Sequence, residues 1–174
     1  MTKPELTQTQ RTFRDAMSLL SAAVNIITTD GPAGRCGLTA TAVCSITDSP
    51  PTVMIAVNQN SRANATIKAN GVVCVNVLTE EHEEAAKDFA GFTQLDIDER
   101  FERYRWSEGE HGLPYLDGAL VSFGGRVIQV IEQGTHSLFF VEVNGIRKKE
   151  GRKGLVYFSR SFHAIGEECS LAVQ

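Results

Sequence analysis

The sequence predicts a mainly β fold, a mostly antiparallel barrel with flanking helices. Three observations carry that class. About six segments have strand length and apolar or alternating character, only two or three are helical, and the regular strand-helix-strand alternation of a doubly wound sheet is missing. The 174 residues suit one domain spanning 1–174, and 42% hydrophobic residues with 20 Gly or Pro are globular composition.

An amphipathic helix opens the chain over Gln8 to Ser21. Phe13, Ala16, Met17, Leu19 and Leu20 recur at spacings of three and four, with Arg11, Arg14 and Asp15 on the other side. Ala23 to Thr29 is rich in β-branched residues and reads as a strand, ended by the turn residues Asp30-Gly31-Pro32-Ala33-Gly34. Arg35 to Thr47 alternates throughout, with Cys36, Leu38, Ala40, Ala42, Cys44 and Ile46 on one face and a ladder of hydroxyls on the other. That ladder is either a solvated sheet face or the wall of a ligand site. Cys36 and Cys44 share the apolar face as small core residues.

Asp48-Ser49-Pro50-Pro51 makes a turn before a buried strand from Thr52 to Asn58. Asn60 or Ser61 then caps a short helix that stops at Asn70-Gly71. A strand from Val72 to Leu78 leads into a helix whose start is marked by Glu80, Glu81, Glu83 and Glu84 and which Gly91 closes. The next thirty residues, with Trp106 among them, read as a long, polar, irregular excursion over the surface or across a partner subunit. Strands at Leu120 to Ile131 and Leu138 to Val143 form a hairpin, and a last strand covers Gly154 to Phe158.

Charge and composition exclude several functions. A net charge of −4 argues against a surface that neutralises nucleic-acid phosphates. The run Val53 to Val57 is far shorter than the roughly 20 residues that span a bilayer. The first twenty residues carry charges inside a helical pattern instead of the apolar core of a signal peptide. Cys36, Cys44, Cys74 and Cys169 have no CxxC and no zinc spacing, so they read as separate reduced thiols, with the cytoplasm as the expected compartment. Residues 80–102 hold nine acids against Lys87 and Arg100, and residues 146–160 hold six basic residues against Glu150. These runs are either two solvated faces or, at the basic end, part of a site for a phosphorylated ligand.

No nucleotide-loop, hydrolase or metalloprotease motif is present. His82, His111, His136 and His163 stand far apart, which gives no metal-ligand grouping. His82 and His111 read as solvated, whereas His136 follows Gly134-Thr135 at the head of an apolar strand, where it either packs or faces a pocket. The string Asn58-Gln59-Asn60-Ser61-Arg62-Ala63-Asn64 lies where a strand gives way to a helix. Such a place offers backbone N–H groups, side-chain donors and a guanidinium to an anion, or is an ordinary N-cap.

Several strings taken together resemble the flavin reductase family, over about residues 11–163. They are Phe13-Arg14-Asp15-Ala16-Met17, Ser21 to Thr29, Gly37 to Ser45 with Pro50-Pro51, Asn58 with Ser61 and Asn64, Cys74 to Leu78, Phe89-Ala90-Gly91, Gly134-Thr135-His136, Gly154 to Phe158 and Phe162-His163. Within the family the resemblance is to the reductase components of two-component 4-hydroxyphenylacetate 3-monooxygenases. It implies a homodimeric split β-barrel that binds FMN or FAD, takes hydride from NADH, with NADPH the other candidate donor, and releases reduced flavin to a separate monooxygenase. Carried over by position, Gly37, Leu38, Thr39, Ala40, Thr41, Val43 and Cys44 line the flavin ring. Asn58, Gln59, Asn60, Ser61, Arg62, Asn64 and Ala65 hold ribityl and phosphate groups, and Phe89, Ala90 and Gly91 complete the wall. Asn64 departs from the Thr or Ser that relatives carry there. His136, Tyr157 and Arg160 flank the nicotinamide nucleotide, with His136 a positioning residue or a proton donor.

In such an enzyme the cofactors carry the chemistry, and the protein supplies orientation and exclusion of water. Two other readings use the same residues: a reductase whose free reduced flavin serves ferric chelates, and a flavin-binding module without turnover.

Overall fold

The computed structural model describes residues 5–166. In chain order the elements are α1 (Gln8–Met17), β1 (Ala22–Ala23), β2 (Asn25–Thr29), β3 (Cys36–Ala40), β4 (Val43–Asp48), β5 (Pro51–Asn58), α2 (Arg62–Asn70), β6 (Val72–Val77), α3 (Glu83–Phe89), α4 (Ile97–Glu102), β7 (Trp106–Glu108), β8 (Pro114–Leu116), β9 (Val121–Gln133), β10 (His136–Lys148), β11 (Gly154–Phe158) and β12 (Ser161–Ile165). Helix α1 starts on a reciprocal cap, in which Thr7 Oγ1 accepts from Gln10 N at 3.2 Å and Gln10 Oε1 accepts from Thr7 N at 2.8 Å. It ends at Met17, short of the expected Ser21, and buries none of its residues.

Seven strands form one antiparallel sheet in the order β3-β2-β6-β9-β10-β5-β4. The expected single strand over Arg35 to Thr47 is therefore two strands, on opposite edges of this sheet, joined only by Thr41 and Ala42. A flat seven-stranded sheet is roughly 29 Å across, whereas the three Cα steps from Ala40 to Val43 reach at most about 11 Å. The sheet must roll until its two edges nearly meet. Because β3 and β4 do not pair, the result is a barrel with an open seam.

The division also separates the two cysteines. Cys36 is buried, and Cys44 is exposed on the far side of the seam. Both are free thiols, as is the buried Cys74, while Cys169 lies outside the described residues.

The barrel core is built from cross-strand pairs such as Ile55 opposite Phe139 and Val53 opposite Val141. Ile27, Val57 and Val75 pack with them, and each fully buried aliphatic or aromatic side chain contributes about 1.5–3 kcal/mol. Asn76, fully buried, takes hydrogen bonds from Leu116 N at 2.9 Å and Ser122 Oγ at 2.8 Å and donates to Ile26 O at 3.1 Å, which ties β8 to the barrel.

A second cluster lies under α3, where Phe89, Phe101 and Trp106 make a ring trio with centroids 4.8 to 5.7 Å apart. Residues 92–120 are consequently not an irregular excursion. They hold α4 and the β7–β8 hairpin, with Phe101, Leu113, Tyr115 and Leu116 buried at spacings too irregular to show as a period.

The acidic and basic runs meet each other. Glu81 pairs with Arg152, and Glu80 N donates to Lys153 O at 3.2 Å. Arg147 holds Ser107 Oγ at the edge of a cleft of about 390 Å³, Lys148 pairs with Glu150, and Arg160 faces a larger cleft of about 660 Å³. Among the described residues, no helix is long and apolar enough to cross a membrane.

Candidate active site

Strand β3, the start of α2 and the ends of α3 and α4 enclose a cleft of about 490 Å³, within the range of about 300–1,000 Å³ usual for small-molecule sites. Gly37, Leu38 and Thr39 form its floor, Phe89, Ala90 and Gly91 one wall, Ser61 and Arg62 the opposite end, and Ile97 and Arg100 the rim. Gly37 packs against a ring, since a Cβ there would sit 2.8 Å from Phe89 Cε1. Gly91 has a φ of 79°, which lets the chain leave α3 and continue along the cleft. Thr39 spends its hydroxyl on Ala86 O at 2.7 Å, so this rung of the ladder docks α3 onto β3.

Phe89 is held from below. Its neighbour Asp88, fully buried, accepts from Tyr104 Oη at 2.5 Å and from Arg103 Nη1 at 3.1 Å. Burial, and then the Asp88 carboxylate, push the Tyr104 phenol well above the usual tyrosine range, so it stays a hydrogen-bond donor. This clamp fixes the end of α3 and with it the Phe89-Ala90-Gly91 wall.

The other end of the cleft suits an anion. Ser61 is the N-cap of α2 but makes no side-chain cap bond, which leaves its hydroxyl free beside the positive end of the helix. Arg62 and Arg100 both line the cleft with Cys36, whose thiol is pushed up by burial, opposed in part by a bond from the Gly37 backbone and by the two guanidiniums. Arg100 Nε donates to Leu95 O at 3.0 Å, which anchors the side chain at the rim. Sequence reasoning missed Arg100. Its helix is announced by Asp96 and Glu99, a reciprocal cap with Glu99 N to Asp96 Oδ1 at 3.0 Å and Asp96 N to Glu99 Oε2 at 2.7 Å. An apolar wall ending in a hydroxyl, a helix start and two cations fits the ring and phosphate of a flavin mononucleotide.

Other sequence-predicted residues lie elsewhere. Ala40 packs inside the barrel. Thr41, Tyr157 and Arg160 line a second cleft of about 660 Å³, and Val43 and Cys44 line a third of about 340 Å³. Asn64 points inward, its amide donating to Val57 O at 3.0 Å and Ser137 Oγ at 2.9 Å, and Ala65 is exposed.

The Asn58–Asn60 turn is braced, with Asn60 N donating to Asn58 Oδ1 at 2.9 Å and Gln59 Nε2 to Glu132 Oε2 at 2.5 Å. Lys68 and Ser137 also donate to Glu132, and these bonds, the Lys68 one foremost, hold its carboxyl below the usual range. His136, half-buried opposite Asn58, lines none of these three clefts. His82 is not solvated as expected. Its Nδ1 lies 3.3 Å from Thr79 N and 2.8 Å from Thr79 Oγ1, and its Nε2 lies 3.2 Å from Asp117 O.

A model of the flavin reductase-like domain matches residues 17–166. The chain belongs to that family. Among its flavin reductase relatives, the Pseudomonas aeruginosa 4-hydroxyphenylacetate 3-monooxygenase reductase component is 56% identical over 161 residues, covering 92% of this chain and 95% of the relative. The NADH-dependent FMN reductase RutF of Ancylobacter novellus is 50% identical over 153 residues, covering 88% and 83%. A solved Haemophilus somnus structure superposes with a TM-score of 0.85 at 37% identity, covering 92% of this chain and all of that one. The open-seamed barrel is the split barrel of the flavin reductases.

Proposed function

We propose that this protein is an NADH-dependent flavin reductase that binds flavin in the cleft between β3, α2, α3 and α4 and supplies reduced flavin to a separate aromatic monooxygenase. The observation that carries the reading is the continuity of the Leu38–Phe89 wall with the anion end at Ser61, Arg62 and Arg100 in one cleft. When both are bound, the nicotinamide and the flavin supply the hydride chemistry themselves.

The chain's residues have simpler tasks. Leu38, Phe89 and Ile97 exclude water from the ring, Ser61 and the α2 N–H groups donate hydrogen bonds to the phosphate, and Arg62 and Arg100 neutralise it. Tyr157 and Arg160 flank the nicotinamide nucleotide. His136 enters the donor site through the family resemblance alone. The match to a 4-hydroxyphenylacetate 3-monooxygenase reductase component supports an oxygenase of that class as the acceptor.

A homodimer is part of the reading. The seam-edge strand β4 exposes Ile46, and β10 exposes Ile146, beside a cleft lined by Val43, Val53, Phe123 and Val143, and an unpaired edge strand with an apolar face calls for cover. NADH as donor and free thiols at Cys36, Cys44 and Cys74 support the cytoplasm as its compartment.

The test is NADH absorbance followed with purified protein, with and without FMN, FAD or riboflavin. NADH loss that depends on added flavin is expected. Tight flavin retention with no NADH loss would leave only a binding module.

A further inference from the structure

The second cleft lies between α1 and the β11–β12 hairpin. Arg11, Arg14, Asp15 and Ser18 stand at i, i+3, i+4 and i+7, one stripe of a helix, and all four line it. Helix α1 therefore turns its polar stripe, with Met17 and the following Leu20 beside it, toward the cleft, while Phe13 on the apolar side is 64% exposed and no α1 residue is buried. A helix docked for stability buries its apolar stripe instead. Packing does not account for this arrangement.

The opposite wall is the hairpin tip. Ser159 and Arg160 have φ of 49° and 61°, two successive non-glycine residues in the left-handed region that L side chains avoid. A two-residue turn between paired Phe158 and Ser161 sets these angles, and the tip touches α1 and its C-cap: Ser159 N donates to Ser18 O at 2.7 Å, and Arg160 Nη2 donates to Asp15 Oδ1 at 2.5 Å. The turn thereby presents the Arg160 side chain to the cleft. Three guanidiniums, from Arg11, Arg14 and Arg160, then face one carboxylate, a surplus of two positive charges beside the Tyr157 ring. Thr41 lines this cleft and Thr39 lines the first. At about 3.3 Å per residue the two clefts adjoin within about 7 Å along the chain.

Resting on the reading that the first cleft takes flavin, we propose that the second binds the pyrophosphate of the nicotinamide dinucleotide through Arg11, Arg14 and Arg160, which makes α1 a donor-binding element. The two negative charges of a dinucleotide pyrophosphate match the surplus, and a guanidinium can hold two anionic phosphate oxygens with paired N–H bonds. Asp15 holds Arg160 in register until the donor arrives.

The experiment compares wild type with Arg11→Gln/Arg14→Gln, both exposed positions, in flavin-supported NADH turnover, with ADP-ribose as a competitive probe. The KM for NADH and the inhibition constant for ADP-ribose should each rise about tenfold, as expected for losing charge-assisted hydrogen bonds, with the flavin Kd within twofold of wild type. Unchanged NADH and ADP-ribose values in an active variant would overturn the proposal and leave the flavin reductase reading intact. An equal rise in the flavin Kd would also overturn it, by assigning the arginines to flavin. Absence of NADH turnover in wild type would instead refute the function on which the proposal rests.

Discussion

Gly37 and Phe89 touch so closely that a single Cβ on Gly37 would lie 2.8 Å from Cε1 of the ring and 3.2 Å from the carbonyl of Ile27. One side of that contact is backbone, and the other is locked in the ring trio with Phe101 and Trp106. Gly37→Ala should push Phe89 into the cleft. The expected cost is about 1–3 kcal/mol of stability, typical of overpacking, with flavin affinity falling more than tenfold. Urea unfolding and flavin fluorescence quenching check the two parts.

The clamp beneath Phe89 should matter to binding as well as to stability. Tyr104→Phe removes one donor from the buried Asp88 carboxylate and leaves Arg103 as its partner. A loss of about 1–3 kcal/mol is expected, together with a severalfold weaker flavin complex because the end of α3 is no longer fixed. With Tyr104 intact, Asp88→Asn keeps an acceptor for the phenol and should cost less of both than Asp88→Ala.

His82 makes the fold sensitive to mild acid. Burial foremost, opposed in part by its bond to the Asp117 carbonyl and by Glu81 and reinforced by Arg152, lowers its pKa below the ordinary 6.5. The unfolded chain therefore takes up this proton more readily than the folded one. Stability from the neutral imidazole is fully present above about pH 6.5 and is lost as pH falls below it, at no more than about 1.4 kcal/mol per pH unit. Urea midpoints measured from about pH 7.5 to about 5.5 should show this slope, and His82→Asn should flatten it. Glu132, whose carboxyl is held below its usual value by Lys68 and Ser137, contributes only in the more acidic range.

Substitution at His136 tests the donor role that the family resemblance implies for it. On the proposed function, His136→Ala raises the KM for NADH more than the flavin Kd. Steady-state kinetics alongside flavin titration measure the ratio, and equal weakening of both would place the imidazole in the flavin wall.

Much of this architecture was legible in the sequence, for reasons that differ by element. The Thr52–Asn58 strand and the Ser61–Gly71 helix carry their own periodicity and caps, and the structure reproduces them within a residue or two. The break at Thr41-Ala42 was not legible, because no turn residue interrupts the alternation and only the roll of the sheet sends β3 and β4 to opposite edges. For the same reason Val43 and Cys44, grouped by sequence with Gly37–Thr39, line a different cleft. Asn64 looked like a phosphate ligand because it follows the helix start, yet at that point of the turn it faces Val57 and Ser137. Arg100 escaped notice within an acidic run, since its value comes from a fold that carries α4 to the rim of the first cleft.

The central claim is that the cleft floored by Gly37–Thr39 holds flavin with its phosphate at Ser61 and Arg62. Its most direct test is the Kd of FMN and of riboflavin for wild type and for Ser61→Ala/Arg62→Ala. Wild type should bind FMN at least about tenfold tighter than riboflavin, and the double variant should lose about 10- to 100-fold of FMN affinity, the range for hydrogen bonds to a charged group, while riboflavin binding stays nearly constant. Identical losses for both flavins would contradict the placement of the phosphate and with it the assignment of the cleft.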